Sequence, residues 1–352
     1  MALRLLDRPA GAPWEPELAG TLEKLVVQSE LLSDNPLGDP AQRPLYVYRS
    51  PGVVARAGQH VPTVYLLQGY SGQLDTWLAR KPFEPTMTER LDAMFLAEEC
   101  PQAIVVFVDA WTSLGGSQFL NSAGTGRYMD YLCDEVVPFI DGHYQTAGDR
   151  VHRGVAGHSS GGYGAMVTSM LRPDVFAAFA SHAGDALFEC CYLRDFPAAV
   201  RLLRDHFDGS FEVMRSQLAK ADRFDWARYG TPLSIYAYAC AYSPDPERPG
   251  EALLPFEADT GRLVEEVWKV WLEHDPVRMA SQHAEALRGM RHIILDAGRR
   301  DEYYLDLATQ AFANELAKLG VGYSLELFDG GHGGIAHRYP RAIRELLVAL
   351  SQ

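Results

Sequence analysis

Apolar and polar positions along the chain alternate between two rhythms. Leu22–Val27, Leu45–Arg49 and His292–Asp296 read as strands, and Thr63–Leu67 and Ala103–Val108 are short apolar runs rich in the β-branched and aromatic residues of strands. Runs such as Ile104–Val108, apolar at every position, fit strands buried on both faces. Between them lie stretches with helical spacing: Thr88–Cys100, Tyr128–Tyr144, Gly161–Met170, Leu305–Leu319 and Pro340–Leu350. Arg150–Ala156, Ala177–His182 and Tyr323–Phe328 complete the expected strands, although the alanine-rich Ala177–His182 also allows a helix. The turn-rich Ser33–Pro40 separates the first two strands. Strands alternating with helices predict an α/β fold, a mostly parallel sheet covered on both faces, with chemistry at the carboxyl ends of its strands.

The rhythm breaks between about residues 187 and 290. That stretch predicts helices at Phe196–His206, Gly209–Ala221 and Leu263–Trp271 around the turn-rich Ser243–Gly250. A hundred residues between two sheet strands read as a lid over the strand ends, because long connections in compact domains are usually functional. The expected division is a core of residues 1–186 and 291–352 with a lid of 187–290; the alternative is a decorated crossover helix.

The chemistry starts at Gly157-His158-Ser159-Ser160-Gly161, a Gly-x-Ser-x-Gly between a strand and a helix. This is the pattern of a nucleophile elbow, a turn so tight that side chains at the flanking positions would collide with neighbouring elements. Ser159 is therefore the candidate nucleophile. A serine hydroxyl needs an imidazole base, itself held by a carboxylate. His332, set between glycines in Gly330-Gly331-His332-Gly333-Gly334, is the candidate base, with His337 its competitor. Asp301 is the candidate acid, past the strand ending at Asp296. It could instead cap the helix starting near Leu305, and Asp185, Asp296 and Glu302 are further carboxylates. An oxyanion needs two backbone donors, expected from the N–H groups of Ser160 and Tyr70. Tyr70, Trp77, Trp111 and Phe119 fall on loops after strands and are expected to form an apolar wall; Gln68 and Trp111, with His158 and His182 near the site, are pocket candidates.

Ser29–Leu32, Tyr65–Gly72, Val108–Trp111, Gly157–Ala165, Asp296–Asp301 and Gly331-His332, in that order, resemble the putative-esterase family of α/β hydrolases. That group includes esterase D (S-formylglutathione hydrolase), enterochelin-esterase-like enzymes and mycolyltransferases, and the likeness spans most of residues 20–350 apart from the insertion. The resemblance implies an α/β-hydrolase fold with an eight-stranded sheet whose second strand is antiparallel. It implies a metal-free, cofactor-free serine esterase with Ser159, Asp301 and His332 as its triad. Many members carry His before the oxyanion glycine where this chain has Gln68; backbone donors survive that change. An acyltransferase on the same triad and a catalytically idle hydrolase scaffold are the alternatives.

Composition narrows the partners. The formal charge is −14, from 32 basic and 46 acidic residues. That balance argues against nucleic acid and anionic membrane surfaces and says nothing about a small neutral substrate; the resemblance makes a small-molecule ester the expected partner. The cysteines, Cys100, Cys133, Cys190, Cys191 and Cys240, lack metal-ligand spacing, so metal sites are not expected. The N-terminal run Met1–Ala10 is too short and too broken for a signal segment, which makes a cytoplasmic setting the expectation. Hydrolases of this kind often pair through surface helices, so a homodimer is one expected state.

Overall fold

In the computed structural model, residues 17–53, 60–97, 100–248 and 250–352 are described; the N-terminal run Met1–Ala10 lies outside them. Eight strands form one sheet: β1 Thr21–Gln28, β2 Gln42–Arg49, β3 Thr63–Leu67, β4 Ile104–Val108, β5 Arg153–His158, β6 Ala178–His182, β7 His292–Gly298 and β8 Ser324–Phe328. Their spatial order is β1-β2-β4-β3-β5-β6-β7-β8. β2 is antiparallel to both β1 and β4, and every other pairing is parallel, the α/β-hydrolase arrangement. β3 and β4 are buried at every position, as unbroken apolar runs in the middle of a two-sided sheet should be.

The principal helices are α1 Met87–Leu96, α2 Val137–His143, α3 Ser160–Leu171, α4 Phe196–His206, α5 Phe211–Leu218, α6 Trp226–Tyr242, α7 Glu265–Glu273, α8 Leu305–Lys318 and α9 Tyr339–Leu350. Two apolar clusters lie on opposite faces of the sheet. One gathers α1 and α9 around Leu66, Val105 and Phe107; the other gathers α2, α3 and α8 around Tyr65, Val106 and Val155. α1 starts at Thr86, whose hydroxyl accepts from Glu89 N–H while the Glu89 side chain accepts from Thr86 N–H, a reciprocal capping box.

Residues 187–290 are helical where they are ordered into regular elements, and add no strand to the sheet. Their aromatic side chains interlock: Phe196 packs against Trp268 and Trp271, and Tyr192 and Tyr242 both meet Trp271. They share one apolar cluster with the helical layer beneath. α6 is the element that the sequence pattern misses. It contains Gly230 and Pro232, which normally end a helix, yet its Ile235–Tyr242 half is buried and tertiary packing outweighs propensity. No described helix is long and apolar enough to cross a membrane.

Candidate active site

The sharp turn between β5 and α3 holds Ser159 at φ 58° and ψ −127°, a backbone region that side-chain-bearing residues avoid. The surroundings fix it there. Ser159 N–H donates to the His182 carbonyl at 2.9 Å, and Tyr163 N–H donates to the Ser159 carbonyl at 2.9 Å. The flanking glycines are required by space. A Cβ on Gly157 would lie 2.3 Å from the backbone of Gly161, and one on Gly161 would lie 2.3 Å from the Leu67 carbonyl. Both clashes are with backbone, so nothing can swing aside.

The β3 loop runs beside this turn, with a Cβ on Gly69 falling 3.3 Å from that of Ser159. The N–H of Tyr70 has no acceptor among the described residues, and that of Ser160 is a first-turn helix donor without an intrahelical partner. The neighbouring N–H groups of Ser71 and Gly72 are taken up by the carbonyls of Gly115 and Gly69. The N–H groups of Tyr70 and Ser160, the two expected oxyanion donors, are thus unengaged among the described residues, as are those of Gly161 and Gly162 in the same helix turn.

Asp301 and His332 meet across the loops after β7 and β8. Asp301 Oδ2 lies 2.8 Å from His332 Nδ1, its side chain fully enclosed. Asp301 Oδ1 accepts from Tyr303 N–H at 2.9 Å. Asp301 is not the helix cap that its position also allowed: the N-cap of α8 is Tyr304, with no side-chain cap bond. The two loops are laced together by backbone bonds, Arg299 N–H to the Phe328 carbonyl at 2.8 Å and Arg300 N–H to the Gly330 carbonyl at 2.9 Å. Glu302, among the neighbouring carboxylates in the sequence, has a distinct job: its Oε2 accepts from His332 N–H at 2.8 Å. Only the meeting of the two loops reveals that role.

The His332 ring is further clamped between His158, at 4.4 Å between centroids, and Tyr303, at 4.7 Å edge-on. It leaves Nε2 without a partner among the described residues. Ser159 and His332 line one cavity of about 250 Å³. No hydrogen bond joins them in this arrangement; such contacts commonly tighten only when substrate arrives.

Other candidates fall elsewhere. His337 is exposed and its Nδ1 lies 3.1 Å from the Gly334 carbonyl. Asp185 lines the cavity but touches Ser160, Tyr192 and Gln118 rather than His332. Gln68 lines the adjoining cavity rather than this one and braces its own loop, donating to the Gln73 carbonyl at 2.6 Å and accepting from Thr76 at 3.1 Å. The expected apolar wall needs correcting. Tyr70 lines the cavity, but Trp111 does not, its carbonyl serving instead as an acceptor for Arg43 and Tyr128. Phe119 is buried beneath Gly164, and Trp77 packs on Phe107 and Tyr339 beside a second cavity of about 270 Å³. Both cavities share Gly69 and His158. Residues 187–290 supply Tyr192, Trp226 and Tyr238 to the wall, and the chain after β7 supplies Tyr303 and Leu305.

A polar row underlies the strand ends. His158, His182 and Asp296 are in register across β5, β6 and β7, and their side chains share a sheet face. His182 Nδ1 and Arg338 Nε each lie 2.7 Å from an oxygen of Asp296. Burial pushes the Asp296 carboxyl up, but His182 and Arg338 outweigh it and hold it below the ordinary aspartate value. Removing one member of a buried pair strands the other, so Asp296→Ala should cost about 3–5 kcal/mol in urea denaturation.

His158 behaves oppositely. Burial, aided by the nearby His332 and His182, pushes its pKa well below that of free histidine, against a hydrogen bond with the His332 backbone. The unfolded chain therefore takes up a proton below about pH 6.5 that the folded chain refuses, and stability declines as pH falls through that value. In urea titrations, His158→Asn should flatten this slope by up to about 1.4 kcal/mol per pH unit. His274, also depressed by burial, contributes equally to both proteins and cancels.

The fold is shared with solved hydrolases across nearly the whole chain. A ferulic acid esterase superposes with a TM-score of 0.58 at 18% identity, covering 95% of this chain and 98% of its own. FphF, a fluorophosphonate-binding serine hydrolase of Staphylococcus aureus, gives 0.56 at 16%, covering 95% and 99%. An S-formylglutathione hydrolase from Agrobacterium tumefaciens gives 0.54 at 15%, covering 95% and 98%. No curated sequence matches the chain. A family model described as "Putative esterase" matches residues 42–339, and with the sheet order and the elbow already in place the chain belongs to that family.

Proposed function

We propose that the protein is a serine esterase acting on a small-molecule ester through an acyl-enzyme on Ser159. The observation that carries this reading is the 2.8 Å Asp301–His332 contact on the wall of the cavity that also holds Ser159. Asp301 accepts from Nδ1–H of His332, which leaves the Nε2 lone pair to take the Ser159 proton. The Ser159 oxygen bonds to the ester carbonyl carbon while the carbonyl electrons move onto oxygen. That oxyanion is held by the N–H groups of Tyr70 and Ser160, a fixed pair of donors that need not reorganise. Collapse breaks the C–O bond to the alcohol, which leaves with the proton from His332. Water then repeats the sequence on the acyl-enzyme and frees the acid.

Family membership and the hydrolases that share the fold support this chemistry. In this reading residues 187–290 form a cap over the strand ends, giving the cavity its aromatic wall and limiting water. Arg194, from the cap, donates to the Glu302 carbonyl at 2.7 Å and so ties it to the loop bearing Asp301. The test is turnover. The protein should release p-nitrophenol from p-nitrophenyl acetate with an initial burst, and intact mass should show a transient acetyl adduct. Release no faster than in buffer would overturn the reading.

A further inference from the structure

Asp185 is a carboxyl that the proposed mechanism does not use. It follows β6, is 4% exposed, and lines the cavity beside Ser159. Its Oδ2 is the oxygen engaged: Tyr192 Oη lies at 2.8 Å, Ser160 Oγ at 3.1 Å and Gln118 Nε2 at 3.2 Å. All three partners are neutral. No described residue donates to Oδ1, and no Lys or Arg is among the described residues that line the cavity.

Asp275 and Asp92 are also buried with neutral donors only, but neither lines this cavity. Buried charges are ordinarily paired, because removing them from water is costly. Asp195, the other acid on the cavity wall, follows that rule, with Arg194 at 3.2 Å. His332 is already claimed by Asp301, and burial keeps His158 neutral. Burial raises the pKa of Asp185 against the pull of its three donors and of His332, so the carboxylate gains from any cation that reaches Oδ1. The remaining walls suit the same guest, since the aromatic residues Tyr70, Trp226, Tyr238 and Tyr303 line the space, and aromatic rings attract cations.

We propose that Asp185 is the counter-ion for a positively charged nitrogen on the substrate, so that the enzyme takes esters bearing an ammonium group and rejects anionic ones. The inference rests on the esterase reading for the word substrate, but the cation site itself does not. Amino-acid esters and amino-alcohol esters share this chemistry and differ in which side of the ester carries the nitrogen.

Binding comes first, because it needs no turnover. Benzylamine, benzyl alcohol and benzoate are titrated against the intact protein near pH 7.5, reading the thermal shift and, where turnover exists, inhibition of p-nitrophenyl acetate hydrolysis. Benzylamine should bind about tenfold or more tightly than benzyl alcohol, with benzoate weakest. In Asp185→Asn the amide oxygen keeps the three donors and its NH2 faces the cavity, so the preference for the amine should collapse to near unity. Loss of preference, rather than of rate, separates this role from support of Ser160. Two substrate pairs then locate the nitrogen: p-nitrophenyl 5-aminopentanoate against hexanoate, and the acetate of 5-aminopentanol against that of hexanol. A wild-type protein that binds benzyl alcohol or benzoate as tightly as benzylamine overturns the proposal, whether or not the variant folds, and so does an unchanged preference in a folded variant. Missing turnover with benzylamine preference intact would instead sink the esterase reading alone.

Discussion

Ser159→Ala should lower kcat/KM for p-nitrophenyl acetate by at least about 10³-fold, the scale on which loss of a triad nucleophile acts. The folded state should hardly notice. The Ser159 hydroxyl makes no hydrogen bond with any described residue, and alanine meets the same backbone strain at φ 58° as serine does. The backbone bonds that fix the elbow, to the His182 carbonyl and from Tyr163 N–H, are untouched by the change. Unaltered thermal unfolding beside a collapse in rate would assign the loss to chemistry. A variant keeping a tenth of the rate would place the nucleophile elsewhere.

Asp301→Asn should lower kcat by about 10⁴-fold, through the tautomer of His332 rather than its placement. Asp301 uses both oxygens, one for Tyr303 N–H and one for His332 Nδ1. An asparagine must keep its carbonyl oxygen toward Tyr303 N–H, which turns its NH2 toward Nδ1. The ring then has to accept at Nδ1 and carry its proton on Nε2, where it can no longer receive one from Ser159. Asp185→Asn cannot produce this effect, because Asp185 makes no contact with the His332 ring. Equal losses in the two variants would mean that Asp301 merely supports the loop.

Much of this arrangement was legible in the sequence because strong local signals coincide with it. Val64–Leu67 and Ile104–Val108 are hydrophobic at every position and fall at the sheet centre, where both faces are buried. Gly157 and Gly161 are legible for the same reason: a tight strand-to-helix turn leaves no room for Cβ, and the 2.3 Å contacts show it. Trp111 and Phe119 were not placed by that logic. An aromatic residue after a strand packs inward or lines a cavity according to what lies above it, and Phe119 packs under Gly164 of α3, a contact remote in sequence. α6 was hidden by Pro232, and it carries Trp226 and Tyr238 into the cavity. Glu302 and Asp185 acquire their surroundings from partners remote in sequence, His332 for one and Ser160 and Gln118 for the other. Long-range partners of this kind leave no periodic trace.

The central claim is that Ser159 is an activated nucleophile. A fluorophosphonate probe, followed by proteolysis and peptide mapping, tests it most directly. Labelling of the peptide containing Gly157-His158-Ser159-Ser160-Gly161 should be stoichiometric, on Ser159, and should be lost in Ser159→Ala. A folded wild-type protein that stays unlabelled, or that carries the label on any other residue, would contradict it.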